Sequence, residues 1–397
     1  MADNPLGITV PKSEPWKPAS HRIPVLSRSL VSDYAKKTID LVEAFVDQDC
    51  IPADVVYTAQ LGRGADRWSG NPSIMENLKD KAKSLGLWNM FLAKDHSRDG
   101  AGLSALEYGL IAEQLGRSRT ASEYFVKACN CAAPDTGNME VLAKYGNSAQ
   151  KDRWLKPLLA GKIRSAFLMT EPDIASSDAS NIQMTMNRSG NSWVLNGSKW
   201  WSSGAGNDSC QLYIVMAKSS ANSPDRHLRQ SVVLVPADSP GIKLHRMLSV
   251  YGYDDAPQGH GHISFRDVRV PDDALVLGEG RGFEIIQGRL GPGRIHHAMR
   301  CIGAAERALE LMIQRINDKN KMPFGQPLSA HGVIVEWVAK SRVEIDAARL
   351  LVLNAASAID LADAKAALLE IAEAKIWVPQ MALTVIDRAI QAHGAMA

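Results

Sequence analysis

The spacing of apolar side chains divides the 397-residue chain into three regions of different texture. From about residue 30 to residue 160, apolar positions recur every three or four residues beside charged ones, as in SLVSDYAKKTIDLVEAFVDQ, which is typical of amphipathic helices. From Ile163 to about Pro271 the apolar runs are short, rich in Val, Ile and aromatic residues, and separated by turn residues. After Gly278 the helical spacing returns in long alanine-rich stretches. The predicted order is helices, then strands, then helices.

Boundary residues refine this prediction. The segments NPSIMENLKDKAKSLGLW and SALEYGLIAEQLGR each begin with an Asn or Ser suited to capping, and Gly161 is a candidate stop for the helical segment before it. In the strand region, NRSGNSW predicts a hairpin, and Asn196-Gly197 predicts a further turn. Several short strands at this spacing, antiparallel in texture, predict a barrel or a sandwich. The length of the last helices favours a helical bundle.

Composition narrows the classes of function. Lys and Arg number 45 against 43 Asp and Glu, and this near-balance argues against a general nucleic-acid binder. No apolar run approaches the ~20 residues of a membrane-spanning helix, so no membrane span is predicted. Five cysteines, an odd number with one close pair, fit neither a disulfide framework nor a zinc site, so we predict a reducing compartment and no metal.

Three segments carry candidate chemistry. FLMTEPDIASSDASNIQMT leaves a strand and presents small hydroxyl residues in a loop, which suits either a phosphate or a capped turn. In NGSKWWSSGAGN, a Trp beside hydroxyl residues either flanks a flat heteroaromatic ring or packs in the core. The glycines of LGEGRGFEIIQGRLGPGRIHHAMR do not form a dinucleotide-binding fingerprint, because no βαβ unit surrounds them, and a loop between domains is predicted instead.

Two histidine pairs are weaker candidates. His296 and His297 fall on a predicted helix, where packing or capping is the favoured interpretation. His260 and His262 lie near Asp254 and Asp255, but without a convergent third carboxylate or Cys we predict a surface loop rather than a metal site.

Taken together, the motifs resemble those of the acyl-CoA dehydrogenase family over nearly the whole chain. The segments that carry the resemblance are T-E-P with the following S-S-D, K-W-W-S-S, F-R-D-V-R-V-P, G-E-G-R-G-F and M-P-F-G-Q-P-L-S-A-H. NCAAPDTGNMEVL, WWSSGAGN and QGRLGPGRIHHAMR further resemble the branch of family members 10 and 11. The resemblance implies an α+β fold with an N-terminal helical domain (1–163), a middle antiparallel β domain (164–277) and a C-terminal helical bundle (278–397).

The resemblance also implies a cofactor and partners. FAD is expected between the β domain and the bundle, acyl-CoA is the expected substrate, and a homodimer or homotetramer is the expected assembly. Electron-transfer flavoprotein is a candidate electron acceptor. Members of the family work in peroxisomes or mitochondria, and since the chain carries neither address, the compartment stays open among these and the cytoplasm.

Residue roles follow from the same resemblance. Met169 and Thr170 are expected at the isoalloxazine edge, Trp201 against the flavin ring, and Ser203 near its reactive nitrogen. Ser176 and Ser177 are expected at the FAD pyrophosphate, although this loop is one residue longer than the usual form, and Ser177 also reaches the substrate. The following residues match positions that bind the remaining parts of FAD or the acyl-CoA entrance: Lys321, Phe324, Leu328, His331, Gln391 and Ala395 for FAD, and Arg294 for acyl-CoA.

The family removes the substrate's α-proton with a carboxylate on the side away from the flavin, and this catalytic residue is not identified here. Some members carry it just before the matched arginine, where this chain has Gly293. Others carry it after the last helices, which for this sequence means beyond Ala397. Alanine stands at two usual glycine positions, Ala395 and Ala397, and Lys321 replaces an arginine, which loses bidentate phosphate geometry.

Three functions therefore stay open. The first is α,β-dehydrogenation of an acyl-CoA thioester, with hydride transfer to flavin. The second is a flavin-dependent oxidase of the same fold. The third is a non-catalytic paralogue, without the base, that binds FAD, acyl-CoA or an active partner subunit. A shortened sequence and a paralogue with altered activity both account for the missing base.

Overall fold

A computed structural model describes residues 17–92, 100–122, 128–220 and 222–396 of the chain. Helices precede and follow a strand-rich middle region, as the apolar spacing predicts. The α-helices of the described residues are α1 (Val25–Arg28), α2 (Asp33–Phe45), α3 (Ile51–Leu61), α4 (Ser73–Ser84), α5 (Ala105–Leu115), α6 (Arg119–Ser122), α7 (Asp135–Tyr145), α8 (Ser148–Gln150), α9 (Lys156–Leu159), α10 (Gly282–Ile316), α11 (Gly332–Leu361) and α12 (Leu368–His393). None of the described helices is long and apolar enough to cross a membrane.

The strands form one sheet in the described part of the chain, in the order β1-β4-β2-β3-β7-β6, with β5 paired to β4. Their bounds are β1 (Arg164–Leu168), β2 (Thr185–Ser189), β3 (Ser192–Ser203), β4 (Cys210–Lys218), β5 (Gln230–Pro236), β6 (Ile242–Met247) and β7 (His260–Pro271). Most neighbours run antiparallel, but β1 pairs with β4 in parallel, which the antiparallel texture of the sequence did not predict. Two parallel strands are joined by a long crossover connection and not by a tight turn, so no turn residues in the sequence mark the pair.

Local signals succeed in some places and fail in others. Ser104 closes a capping box at the start of α5, and Gly190 adopts a φ of 63° in the predicted β2–β3 hairpin. Asn196-Gly197 is not a turn: β3 runs straight through it, with a register shift against β7 between Leu195 and Gly197. A Gly inside a strand accommodates such an irregularity, so the same dipeptide fits a bulge as well as a turn.

The long helices α10, α11 and α12 pack against one another, and α5 packs against α10 and α11. Their shared interface contains a buried charge network around Arg349 of α11. Its guanidinium donates to both carboxylate oxygens of Glu113 on α5, at 2.8 and 2.9 Å, and also contacts Glu306 on α10. Burial disfavours the charged form, yet these two acids outweigh burial and raise the pKa of Arg349. The network thus joins α5, which precedes the sheet, to α10 and α11, which follow it.

A second buried network joins the helical region to the sheet. Asp135, at the start of α7, accepts hydrogen bonds from the backbone N–H (2.8 Å) and hydroxyl (2.6 Å) of Ser165 on β1. The neighbouring Arg164 donates to Asn130 at 2.6 Å. Because every one of these groups is buried, the contacts fix where β1 starts relative to α7.

We expect the Arg349→Met variant to lose roughly 3–5 kcal/mol of unfolding free energy, because it leaves the buried Glu113 without its counter-ion and leaves Glu306 with Arg342 as its remaining ion-pair partner. The midpoint of urea unfolding, followed by circular dichroism, measures the loss. The matched control is Lys340→Met on the same helix, which removes an exposed ion pair to Glu336 and should leave the midpoint unchanged. Equal midpoints for the two variants would contradict the assignment.

Candidate functional site

The candidate site forms at the end of β3, where the strand carries one extra residue. Lys199 pairs with Ile263 of β7 and Ser202 pairs with Gly261, so Trp200 and Trp201 bulge from the ladder. Trp201 takes a left-handed φ of 51°, a strained conformation for a large side chain. Its indole is turned outward and 38% exposed, so it does not pack in the core. Bulges of this kind re-aim a side chain beside functional sites.

The loop after β1 lies against this bulge. The Thr170 hydroxyl donates to the Trp200 carbonyl at 2.6 Å, and the Trp200 N–H donates back to the Thr170 carbonyl at 3.0 Å. These two bonds bring Met169 and Thr170 next to Trp201, although about 30 residues separate them in the sequence. The structure therefore assembles three of the residues expected at the isoalloxazine ring.

A buried ion pair holds this arrangement from behind. The Lys199 ammonium is fully buried and donates to the Met169 carbonyl and to Glu171, both at 2.8 Å. Burial lowers the pKa of Lys199 to about 8, although Glu171 opposes the shift. Glu171 also accepts the backbone N–H groups of Gln183 and Met184 at the entry to β2. Sequence reasoning missed this pair, although both residues lie inside the T-E-P and K-W-W motifs.

Ser203 ends a hydrogen-bonded chain that sequence reasoning also missed. Its hydroxyl lies 2.9 Å from Nδ1 of His260, the residue opposite it on β7, and Nε2 of His260 lies 2.9 Å from Asp255. A tight turn, in which Gln258 and Gly259 both donate to the Asp255 carbonyl, returns this carboxylate to the imidazole. The indole of Trp201 is 5.7 Å from the His260 ring, centroid to centroid.

The predicted surface loop at His260 and His262 is wrong. Both histidines are in strand β7, and His260 is only 8% exposed. His262 bonds to Ser198 at 3.0 Å and faces His245, with the two ring centroids 5.0 Å apart. The polar residues of HGHISF hid the start of the strand, because the buried His260 and the half-buried His262 find their partners across the sheet. The described residues contain no group of three or more His, Cys, Asp or Glu side chains that could hold a metal.

Side chains of the S-S-D loop form hydrogen bonds within the loop. Ser176 accepts the Glu171 N–H at 2.9 Å and lies 3.2 Å from the Glu171 carbonyl, while Asp178 caps the turn at Ser180. Ser177 is exposed. The loop therefore begins beside Thr170, at the bulge, and Ser177 is the hydroxyl that it leaves at the surface.

A second group of expected FAD residues lies apart, between α10 and α11. Lys321 is exposed, and the Phe324 ring is 95% exposed with a left-handed φ of 55°. Leu328 is half-buried, and Nε2 of His331 is buried with no hydrogen-bond partner among the described residues. Within the described part of one chain, no hydrogen bond or ring contact joins this segment to Trp201. The resemblance assigns this segment to the cofactor of an adjacent subunit.

Helix α10 carries the residues expected on the substrate side. Arg294 is half-buried, and a Cβ placed on Gly293 would meet nothing within 4 Å. His296 is buried edge-on against Tyr108 of α5, with the ring centroids 4.5 Å apart, which supports its interpretation as a packing residue. Nδ1 of His297 lies 2.8 Å from the Arg300 guanidinium. Burial, followed by Arg300, lowers the pKa of both imidazoles to about 3.

Two remaining features complete the site. Gln391 and Ala395 are exposed at the end of α12, and Ala397 lies outside the described residues. Glu140 of α7, which sequence reasoning missed, is buried, and burial raises its pKa to about 8 although Arg289 and Lys144 oppose the shift. Nothing in the local sequence distinguishes this acid from others on a helix, because its raised pKa comes from burial, which depends on how the helices pack.

Comparisons with known proteins agree along the chain. The models of the acyl-CoA dehydrogenase N-terminal, middle and C-terminal domains match residues 32–162, 166–268 and 280–397. FadE2 of Mycobacterium tuberculosis is 51% identical over 324 residues, covering 82% of this chain and 77% of its own. The chain belongs to the acyl-CoA dehydrogenase family. Its fold is accordingly the family's fold of N-terminal helices, a middle β region and C-terminal helices.

Other relatives place the chain within the family. Mouse acyl-CoA dehydrogenase family member 10 is 50% identical over 374 residues, or 94% of this chain and 34% of its own length. Human family member 11 is 48% identical over 357 residues, covering 89% of this chain and 44% of its own. The chain thus spans less than half of these relatives. A solved acyl-CoA dehydrogenase-like structure from Mycobacterium abscessus is 47% identical, with a TM-score of 0.86 over 92% of this chain and 89% of its own.

The buried His296 predicts a specific loss of stability in acid. Its folded pKa of about 3 lies below the ordinary 6.5, so between these values the unfolded chain binds the proton more strongly and stability falls as the pH drops. From pH 7.5 to pH 5, we expect His296→Phe to lose roughly 2 kcal/mol less unfolding free energy than the unsubstituted protein. Urea midpoints at both pH values measure the difference.

The matched control is Tyr108→Phe, which keeps the ring packed on His296 and retains the titrating imidazole. It should lose as much stability in acid as the unsubstituted protein. The same acid loss in His296→Phe would show that another group causes it.

Proposed function

We propose that this protein binds FAD and catalyses the α,β-dehydrogenation of an acyl-CoA thioester. The observation that carries the proposal is the bulge at Trp201, which turns an indole out of β3 beside Ser203 and the Met169–Thr170 backbone. An exposed indole flanked by a hydroxyl suits a flat, hydrogen-bonding ring such as isoalloxazine. Two solved structures of PigA that share this fold at 22% and 21% identity are described as containing FAD.

The residues present fit the cofactor in two further respects. The buried, unpartnered Nε2 of His331 and the almost fully exposed Phe324 ring are features of a surface that a second molecule covers. Lys321 would supply a positive charge toward a phosphate, although without the bidentate geometry of arginine. These residues would hold the FAD of a neighbouring subunit, so the proposal includes a homodimer or homotetramer.

The chain's own residues would divide the work between two sides of the substrate. When bound, FAD would supply the acceptor for the hydride that leaves the β-carbon of the substrate. On that side, Trp201 would pack against the ring, Thr170 and Met169 would line its edge, and Ser203 would form a hydrogen bond near the reactive nitrogen. On the other side, α10 presents Arg294 toward the acyl-CoA entrance. Removal of the α-proton needs a carboxylate on the Arg294 side of the substrate. We expect this base either near Gly293 or from the segment that follows α12.

The first test is the colour of the protein and its response to substrate. We expect the purified protein to contain FAD and, without oxygen, to lose its visible flavin absorbance when acyl-CoA is added. Trp201→Ala should lower the flavin content, because it removes the ring's packing surface, whereas Trp377→Ala on α12, which is 43% exposed, should not. A colourless protein that binds no flavin when FAD is added, as judged by protein-bound absorbance, would contradict the proposal.

The second test uses the open space at Gly293. Because a Cβ there meets no neighbour and the residue lies within α10, Gly293→Glu should fold and place a carboxylate beside Arg294. We expect this variant to reduce bound flavin with acyl-CoA at least tenfold faster than Gly293→Gln, which has the same shape without the charge. Stopped-flow absorbance measures both rates, and equal rates would show that this position does not face the α-carbon.

Two other functions make different predictions in the same experiments. A flavin-dependent oxidase would release peroxide when substrate is added in air. A non-catalytic paralogue would bind flavin or acyl-CoA without flavin reduction, and in that case Gly293→Glu would distinguish a missing base from a substrate that does not bind. Electron-transfer flavoprotein remains the candidate acceptor under the leading proposal.

A further inference from the structure

The hydrogen-bonded chain Asp255–His260–Ser203 has a direction that follows from its atoms. A carboxylate only accepts hydrogen bonds, so with Asp255 ionised, Nε2 of His260 carries the hydrogen of their 2.9 Å contact. In the neutral imidazole Nδ1 then has a lone pair and accepts the hydroxyl hydrogen of Ser203, 2.9 Å away. The hydroxyl of Ser203 therefore has only lone pairs left to offer to other groups.

Protonation of the imidazole reverses this. With hydrogens on both nitrogens, His260 donates to Asp255 and to Ser203, and the hydroxyl hydrogen of Ser203 is released to point elsewhere. The reactive nitrogen of a flavin accepts a hydrogen bond when oxidised and carries a hydrogen when reduced. An acceptor at Ser203 thus favours the reduced flavin, and a donor at Ser203 favours the oxidised flavin.

We propose that His260, oriented by Asp255, is a positioning residue that sets whether Ser203 accepts or donates a hydrogen bond toward the flavin, and thereby tunes the flavin's reduction potential. This inference rests on the proposed FAD binding. His260 acts through Ser203 and does not itself transfer a proton to substrate.

The surroundings of His260 support such a role. It is buried on β7 directly opposite Ser203, and the adjoining turn is shaped so that Asp255, at a left-handed φ of 53°, returns to it. The other titratable and charged groups that the described residues place around it are the Arg67–Asp254 ion pair beside Asp255 and the His262–His245 pair farther along the sheet. On β3, His260 faces the Ser203 hydroxyl and the Trp201 ring.

The test is the reduction potential of the bound flavin, measured by equilibration with a redox dye of known potential. At mildly alkaline pH, His260→Phe frees the Ser203 hydroxyl to donate to oxidised flavin. We expect the reduction potential of the flavin to fall by about 30 mV, which for a two-electron couple is a tenfold change. At the potential where the unsubstituted protein is half reduced, the ratio of reduced to oxidised flavin in the variant should therefore be about tenfold lower.

Three further variants separate this role from mere packing. Ser203→Ala and the double variant Ser203→Ala/His260→Phe should have equal potentials, because without the hydroxyl His260 has nothing to orient. His262→Phe, which removes an imidazole bonded to another serine of β3, should leave the potential unchanged. His260→Asn, whose amide oxygen can accept the hydrogen bond from Ser203, should keep the native potential.

The outcomes distinguish the inference from the function on which it rests. An unsubstituted protein that binds no flavin would overturn both. Two outcomes with bound flavin would overturn only the inference. The first is a reduction potential that does not change in His260→Phe, and the second is a shift that is equal with and without the Ser203 hydroxyl.

Discussion

The buried contact between Lys199 and Glu171 is the interaction on which the candidate site depends. One ammonium group ties β3 to the Met169 carbonyl, and the carboxylate it faces fixes the backbone entering β2. Breaking a buried pair on one side leaves an uncompensated charge, so the three segments cannot separate without a large cost. The pair thus holds the T-E-P loop against the bulge from its buried side.

Because the Lys199–Glu171 pair fixes the buried side of the site, β3 can hold a strained conformation at the bulge. The extra residue in β3 and the left-handed backbone of Trp201 are unfavourable conformations that persist only where surrounding contacts over-determine them. Two hydrogen bonds between Thr170 and Trp200, one from the Thr170 hydroxyl and one between backbone groups, supply such contacts, and the Ser203–His260 bond supplies another just beyond the bulge. The result is an exposed indole next to a hydroxyl whose orientation a histidine controls.

The two sides of the proposed reaction differ in how completely the described chain supplies them. The β region provides a ring-binding surface with oriented hydroxyl and backbone groups. The helical side provides Arg294 and an open position at Gly293, while the imidazoles of His296 and His297 are too strongly depressed in pKa by burial to act as bases that gain a proton at neutral pH. Under the proposed function, binding of flavin and turnover of substrate would therefore be separable properties, and the Phe324–His331 segment would add a dependence on a neighbouring subunit.

The sequence by itself determined the order of helices and strands, and the family, because these depend on local periodicity and on motifs that are contiguous in the chain. It also placed Met169, Thr170, Trp201 and Ser203 in two candidate motifs. Only the tertiary structure decided the parallel β1–β4 pairing, the strand through Asn196-Gly197, and the partners of Lys199, His260 and Glu140. The sequence does not show whether a charged or polar side chain is solvated or buried. Its chemistry is decided by groups that lie tens of residues away and meet it only when the sheet and helices pack.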